Sequence, residues 1–302
     1  MFLIKPDILK KFLENIDKQF QSNKGKNIFS DGIQDSLKFI PETIRAIEQI
    51  GEIDKVSENI LIDYITNRAL DEFCRVNQYY SFDKQARERL RTIYAELFMN
   101  IKNYSYPADS VSRIHYENLT RWLRETNSFA EKIYSGKNEN IEPVACSEYS
   151  AGLQVELLQI DITRLIEPVL DVGCGKQGNL VYYFRELGFE ACGFDRFAFE
   201  KPFLTRSDWF DYDFGSDKWG TIISNLGFTN HFKHHHFRND GDFINYAKTY
   251  MDILQSLKIG GKFYYAPGIS FIESYLDINK YKLAHGNIGN YEFKSVIIER
   301  LK

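Results

Sequence analysis

The stretch from Pro168 to Leu180, PVLDVGCGKQGNL, constrains this chain more than any other. A short apolar run from Val169 to Val172 meets a turn carrying Gly173, Gly175 and Gly178. Leu180, Tyr183, Phe184 and Leu187 then recur at helical spacing, and Gly188 supplies the stop. The pattern predicts strand, tight turn, helix. Glycines in such a turn let the backbone approach a ligand closely, and the first turn of the helix presents unpaired N–H groups at the positive end of its dipole. A second apolar run, Phe189 to Phe194, ends at Asp195, whose carboxylate can accept from both hydroxyls of a ribose. Together these make half of a nucleotide-binding fold.

Gly173-x-Gly175-x-x-Gly178 also fits the dinucleotide fingerprint, so a nicotinamide or flavin enzyme has to be weighed. Asp171 separates the readings, because it puts an acid two residues before the first glycine, where the dinucleotide pattern has an apolar residue. Asp171-x-Gly173-x-Gly175 resembles the first motif of the class I S-adenosylmethionine (SAM)-dependent methyltransferases. The resemblance implies that Asp171 orders the turn and the cofactor's amino group. It also implies that Gly173 and Gly175, with Cys174 between them, form the bed for the methionine part, and that Asp195 holds the ribose. Gln177 stands where many members have a third glycine, with Gly178 one place later, which predicts a slightly wider turn.

Downstream the resemblance continues in order. Arg196 to Pro202 leave room for only a short helix before a third strand at Phe203 to Arg206. Ser207-Asp208-Trp209 falls where the family commonly places an acid for the adenine amino group and a flat apolar neighbour, which the resemblance assigns to Asp208 and Trp209. Asp211 and Asp213 read as a solvated acidic turn. Trp219 to Ile223 predicts a fourth strand, and Asn225 follows at its carboxyl end, where ligands sit in doubly wound sheets. Asn225-Leu226-Gly227-Phe228 is similar to the Asn-Leu-Pro-Tyr of adenine-amine methyltransferases, with Gly and Phe in place of Pro and Tyr; a plain strand-to-loop turn is the other reading.

Four of the six histidines follow, in Asn230 to Arg238, read as a loop at the edge of the site. His231, nearest the fourth strand, is the candidate general base for a hydroxyl acceptor. His231 and His235 stand four apart, yet no carboxylate repeats at ligand spacing, so no metal is expected. Gly241 and Asp242 then read as the turn and cap of a long helix. Gly260-Gly261 leading into Lys262 to Ala266 resembles the family's fifth strand, and Phe271 to Leu276 suggests a short helix. Tyr281 to His285 and Phe293 to Leu301, joined by Gly286 to Asn290, predict a closing hairpin.

The first half is of another kind. Ile8, Leu9, Phe12, Leu13, Ile16 and Phe20 form one helical stripe, and Leu90, Ile93, Tyr94, Leu97, Phe98 and Ile101 form a cleaner one. Leu61 to Val76 suggests another helix, and one around Ile114 to Leu123 has Asp109 or Ser110 as its cap. These stripes are the core of a helical bundle or the lining of a substrate pocket. Ser135 to Asn140 is polar and turn-rich, which sets the expected division at a helical domain 1–140 and a SAM-binding domain 141–302. Beyond it, Ser147 to Ser150 precedes a predicted helix, Leu153 to Leu165, with Tyr149 and Gln154 as possible cofactor contacts by the same resemblance.

Composition narrows the remaining choices. With 43% hydrophobic and 26% charged residues the chain reads as globular, and no apolar run approaches the ~20 residues of a membrane span, so the expected setting is cytoplasmic. Its four cysteines form no C-x-x-C pair and read as reduced thiols. A net charge of -4 offers no basic footprint for nucleic acid, which favours a small or peptidic substrate. The fold expected is therefore α/β, a doubly wound, mostly parallel seven-stranded sheet preceded by an all-helical domain. The function expected is SAM-dependent methyl transfer, with Asn225 and His231 as catalytic candidates. Two further readings stay open: transfer to an adenine amine of nucleic acid, and a non-catalytic SAM-binding or interaction protein.

Overall fold

A computed structural model describes residues 6–30, 33, 37–49, 51, 53–103, 107–135, 139–140, 149–288 and 293–302. The chain forms two compact units, Met1–Cys146 and Ser147–Lys302. The expected boundary at 140 abuts residues 141–148, and Ser147 and Glu148 of the predicted cap lie outside the described residues, as do 136–138 of the predicted hinge.

The first unit is helical: α1 (Pro6–Ser22), α2 (Pro41–Gln49), α3 (Lys55–Val76), α4 (Lys84–Lys102), α5 (Ala108–Thr126) and α6 (Phe129–Tyr134). Aspartates start two of its three longest helices. Asp54 accepts from the N–H groups of Val56 and Ser57, and Asp83 from that of Ala86. The predicted stripe of α4 buries Leu90, Tyr94, Leu97, Phe98 and Ile101. Trp122 of α5 is buried by stacking on Phe82 at 4.8 Å, and its indole N–H donates to Ala86 O at 2.9 Å. Neither Asp109 nor Ser110 caps α5. The N-cap position belongs to Pro107, with no side-chain bond, and both polar residues fall inside the first turn. The short helices α2 and α6 carried too few periodic positions to be read from sequence.

The second unit runs α7 (Ala151–Leu157), β1 (Val169–Val172), α8 (Asn179–Glu186), β2 (Ala191–Asp195), β3 (Leu204–Arg206), β4 (Trp219–Asn225), α9 (Phe228–His236), α10 (Phe243–Ser256), β5 (Leu257–Ala266), α11 (Ser270–Glu273), β6 (Tyr281–Asn287) and β7 (Lys294–Arg300). Its seven-stranded sheet has the order β3-β2-β1-β4-β5-β7-β6, parallel except where β7 runs against β5 and β6. Side chains alternate between two cores as a pleated sheet covered on both faces requires. Leu170, Ile222 and Phe263 join Tyr246, Tyr250 and Leu254 of α10, while Val169, Ile223 and Tyr264 join Leu180, Val181 and Phe184 of α8. Among the described residues, no helix is long and apolar enough to cross a membrane.

Four expectations change. The short helix after Asp195 is absent, because Asp195 Oδ1 accepts from Phe197 N–H at 2.8 Å and its carbonyl from Ala198 N–H, so a side-chain turn takes the donors a helix would use. The predicted helix to Leu165 stops at Leu157, and Gln159 takes a left-handed φ of 53°. The helix expected to reach Leu276 ends at Glu273. The histidine run is not a loop but α9. The closing hairpin forms as expected, with Gly289 and Asn290 of its turn outside the described residues.

Gly241 sets the passage from α9 to α10. A Cβ there would lie 1.8 Å from the carbonyl oxygen of His235, and backbone cannot give way as a flexible side-chain end can. Gly241→Ala is therefore expected to cost about 3 kcal/mol or more, read as a lower urea midpoint with the slope unchanged.

Candidate functional site

The sheet order reverses between β1, flanked by β2 on one side, and β4 on the other, and the crevice beyond the strand ends opens at such a switch. Asp171 sits in β1 opposite Gly193 and Ile223, Asp195 ends β2, and Asn225 ends β4 opposite Ala266. Between β1 and α8 the backbone of Gly173 and Gly175 takes φ values of 81° and 73°, which explains why glycine stands at both positions. The N–H groups of Gly173 and Cys174 donate to Phe194 O at 3.0 and 3.1 Å, and that of Gly175 reaches Asp195 Oδ2 at 3.3 Å. The turn is thus bolted to the end of β2. Gly178, also left-handed, occupies the N-cap of α8 and supplies no side-chain cap.

The strand ends converge. A Cβ built on Gly173 would lie 3.6 Å from the Trp209 ring, 4.0 Å from Asp195 Oδ2 and 4.0 Å from the Cα of Gly227. Trp209 packs edge-on against Phe228 and His231, with ring centroids 5.7 and 4.8 Å apart. Ser224 stitches the same region from beneath: its Oγ donates to Val172 O at 2.9 Å and accepts from Phe228 N–H at 3.3 Å. Leu226 holds a left-handed φ of 54°, a strained state for a branched side chain. Its N–H is tied to Ala266 O at 2.8 Å and its carbonyl to the Asn230 amide at 2.9 Å. Sequence reasoning gave Ser224 and Leu226 no role, and neither residue type signals one.

Two residues at the site carry buried polar atoms without a hydrogen bond. Asp171 is 2% exposed, and its Oδ2 is buried with no hydrogen bond. Burial first, and the Asp195 charge second, push its carboxyl up to about 8. Both Oδ1 and Nδ2 of Asn225 are likewise buried and unbonded. Buried polar groups are nearly always satisfied, so these orphans at two strand ends point to a ligand that satisfies them.

The other sequence-selected residues are placed as follows. Asp208 is buried, and its Oδ1 accepts from Phe210 N–H at 3.2 Å, so part of that carboxylate serves its own turn. Cys174 donates its thiol to Gly175 O at 3.4 Å, and its side chain packs where a Cβ on Gly193 would come within 2.9 Å. What it presents to the turn is backbone. Tyr149 O receives the side-chain amides of Gln154 at 3.1 Å and Asn179 at 3.2 Å, pinning the start of α7 to α8. His231, one turn into α9, is 2% exposed, and burial first, with smaller contributions from the neighbouring Arg196, His235 and His234, holds its imidazole well below the usual value. His235 Nδ1 accepts from Asp242 N–H at 3.1 Å, and His236 stacks on Phe271 at 3.7 Å. Among the described residues no group of three or more His, Cys, Asp or Glu is placed to hold a metal ion. Phe228 is fully buried in the sheet core, so its ring is not open to stack on a base.

A mostly parallel sheet of this order, with its last strand inserted antiparallel, decides the architecture. The second unit has the class I methyltransferase fold. No protein-family model matches the chain, and no curated protein does. Among solved structures it is similar to an rRNA methylase from Streptococcus thermophilus, at 13% identity over 52% of this chain and 100% of that one, with a TM-score of 0.35. The glycopeptide N-methyltransferase MtfA gives 13% identity over 52% and 93% of the two chains, with a TM-score of 0.35. The 1,6-didemethyltoxoflavin-N1-methyltransferase of Burkholderia thailandensis, solved with S-adenosylhomocysteine, gives 14% over 50% and 76%, with a TM-score of 0.31.

Proposed function

We propose that the second unit binds SAM at the turn between β1 and α8 and is a methyltransferase for a small or peptidic acceptor. The observation that carries this reading is the Asp171 carboxyl, buried, unbonded at Oδ2 and pushed up to about 8 beside a second acid. Such a carboxyl is costly without a cationic partner, and an ammonium group placed against it would draw it back to the charged form. A dinucleotide's pyrophosphate would instead add negative charge beside Asp171 and Asp195. The donor set therefore fits a cationic nucleoside better than a dinucleotide. Calorimetry with S-adenosylhomocysteine tests it: micromolar binding is expected, and binding of NADH without any response to S-adenosylhomocysteine would overturn it.

When bound, SAM supplies an electrophilic methyl on a sulfonium. In this reading Asp195 would hold the ribose hydroxyls, Asp208 the adenine amine, and Trp209 would give the base an apolar neighbour. Gly173 and Gly175 keep the backbone low enough for close approach, with Cys174 contributing main chain only. Asn225, with both amide atoms unbonded, is the group able to orient an acceptor through a donor and an acceptor at once. Burial of Phe228 weighs against the adenine-amine reading, which needs that ring on the base. Methyl transfer from labelled SAM to components of a cell extract separates an enzyme from a SAM-binding module, which would bind without labelled product.

His231 fits a positioning residue for Trp209 better than a base, since an imidazole held so far down has little drive to take a proton at neutral pH. His231→Ala is expected to weaken S-adenosylhomocysteine binding about fivefold by loosening Trp209, and His231→Phe to restore it because the edge contact is kept. A base would behave oppositely, losing turnover in both variants with cofactor affinity intact and the pH profile changed.

A further inference from the structure

The helical unit carries a partly open cavity of about 180 Å³ that its own side chains leave unfilled. Apolar wall comes from Phe12, Ile16, Leu61, Phe98 and Leu119. Three of the lining residues carry a buried polar atom with no hydrogen bond: Asn23 Oδ1, Thr43 Oγ1 and His115 Nδ1. Native interiors are packed close to crystal density and satisfy their polar groups, so an unfilled cavity whose lining includes three residues with orphaned polar atoms points to an occupant.

The covering helices agree. Phe12 is the one buried residue of α1, and α2 has none, although Thr43, Ala46 and Ile47 of α2 all line the cavity. An amphipathic helix normally buries its apolar face against other side chains. Here that face lies over the void. The rest of the unit, by contrast, packs tightly around Trp122 and Leu90.

We propose that this cavity binds one compact, uncharged ring compound bearing a hydroxyl group, with α2 as its cover. Size selects the class, since an engineered cavity of about 150 Å³ lined by Leu, Ile and Phe stays dry and takes benzene. Chemistry selects the hydroxyl. Asn23 Oδ1, an amide oxygen, accepts only, and the same amide's nitrogen is engaged with Tyr116 Oη at 2.6 Å. Thr43 Oγ1 can donate or accept, and His115 Nδ1 does one or the other according to tautomer, so a group that both donates and accepts suits all three. An uncharged ligand suits this wall: it is mostly apolar, burial holds His115 neutral, down to about 3, and the two charged lining residues are of opposite sign, Lys26 and Glu72, with Glu72 already paired to Arg75. The site belongs to the helical unit alone and does not depend on the methyl-transfer reading.

The test uses p-cresol and toluene, which share a ring and differ by the hydroxyl, titrated into the full chain by calorimetry and ligand-observed NMR. p-Cresol is expected to bind at least about tenfold more tightly than toluene, because toluene leaves the three polar atoms unpaired. Thr43→Val and His115→Phe should bring p-cresol down towards toluene. Ala46→Phe should fill the void and abolish binding of both while circular dichroism stays helical; if that variant does not fold, Thr43→Val still reads the polar recognition. Equal binding of the two probes, no binding of either at millimolar concentration, or binding that survives a folded Ala46→Phe would each overturn the proposal.

Discussion

Asp195→Ala is expected to lower the affinity for S-adenosylhomocysteine by roughly a hundredfold, about 2.7 kcal/mol. Two hydroxyls of a ribose donating to one carboxylate make charge-assisted bonds worth about 1.5–3 kcal/mol each, and alanine removes both. Part of the loss comes from the protein itself. Asp195 also receives the N–H of Gly175 at 3.3 Å and of Phe197 at 2.8 Å, so the alanine chain frees the turn that cradles the ligand. Asp195→Asn keeps an acceptor for one of these groups and should fall between wild type and alanine. Calorimetry measures the affinities, and a thermal melt of each variant separates lost binding from lost folding. An affinity within twofold of wild type in a folded Asp195→Ala would remove the ribose from this end of β2.

The parts of the site that could be read from sequence are those where backbone chemistry leaves few choices. Three glycines at a strand-to-helix turn imply positive φ, and Gly173, Gly175 and Gly178 have it. An acid at the end of the next strand follows from the βαβ spacing, and Asp195 stands there. The histidine helix was illegible for a definite reason. Histidine is a middling helix former, and an apolar count finds only Phe228 and Phe232 at helical spacing. Counted simply as rings, His231 and His235 complete the series 228, 231, 232, 235, and all four are buried. Burial, which holds the His231 imidazole well below its usual value, is what makes these rings core residues, so the signal depends on the tertiary structure it was meant to predict. Leu226 is the same case in the backbone: nothing about leucine announces a left-handed φ, which is held there by Ala266 and Asn230. The cavity of the helical unit stayed one of two readings in the sequence, bundle core or pocket lining, because a stripe such as Ile16 and Phe20 reads alike whether it meets side chains or a cavity.

Asp171→Asn is expected to stabilise the ligand-free second unit and to weaken its cofactor binding, the two effects having one cause. The carboxyl is pushed up to about 8 in the folded chain, against an ordinary value near 3.8 that the unfolded chain restores. A group whose folded pKa is raised holds a proton that unfolding releases. Wild-type stability therefore falls as pH climbs from about 4 to about 8 and levels off beyond, while asparagine, which has no proton to lose, is free of this term. At about 1.4 kcal/mol per unit the gap sets a ceiling of about 5–6 kcal/mol. Relaxation of the interior around the charge brings the expected gain of Asp171→Asn to about 2–3 kcal/mol at pH 8, a melting rise of roughly 5–10 °C in that unit's transition. Near pH 4 the two proteins should melt together, because both then carry a neutral group. The same substitution removes the carboxylate that would pair with an ammonium, so affinity for S-adenosylhomocysteine should drop at least tenfold, a trade of stability against function found where binding sites hold groups the fold alone would reject. A carboxyl kept for structure would give the reverse, a variant less stable at every pH, and a melting difference that does not change between pH 4 and pH 8 would show that Asp171 is not held neutral in the free protein.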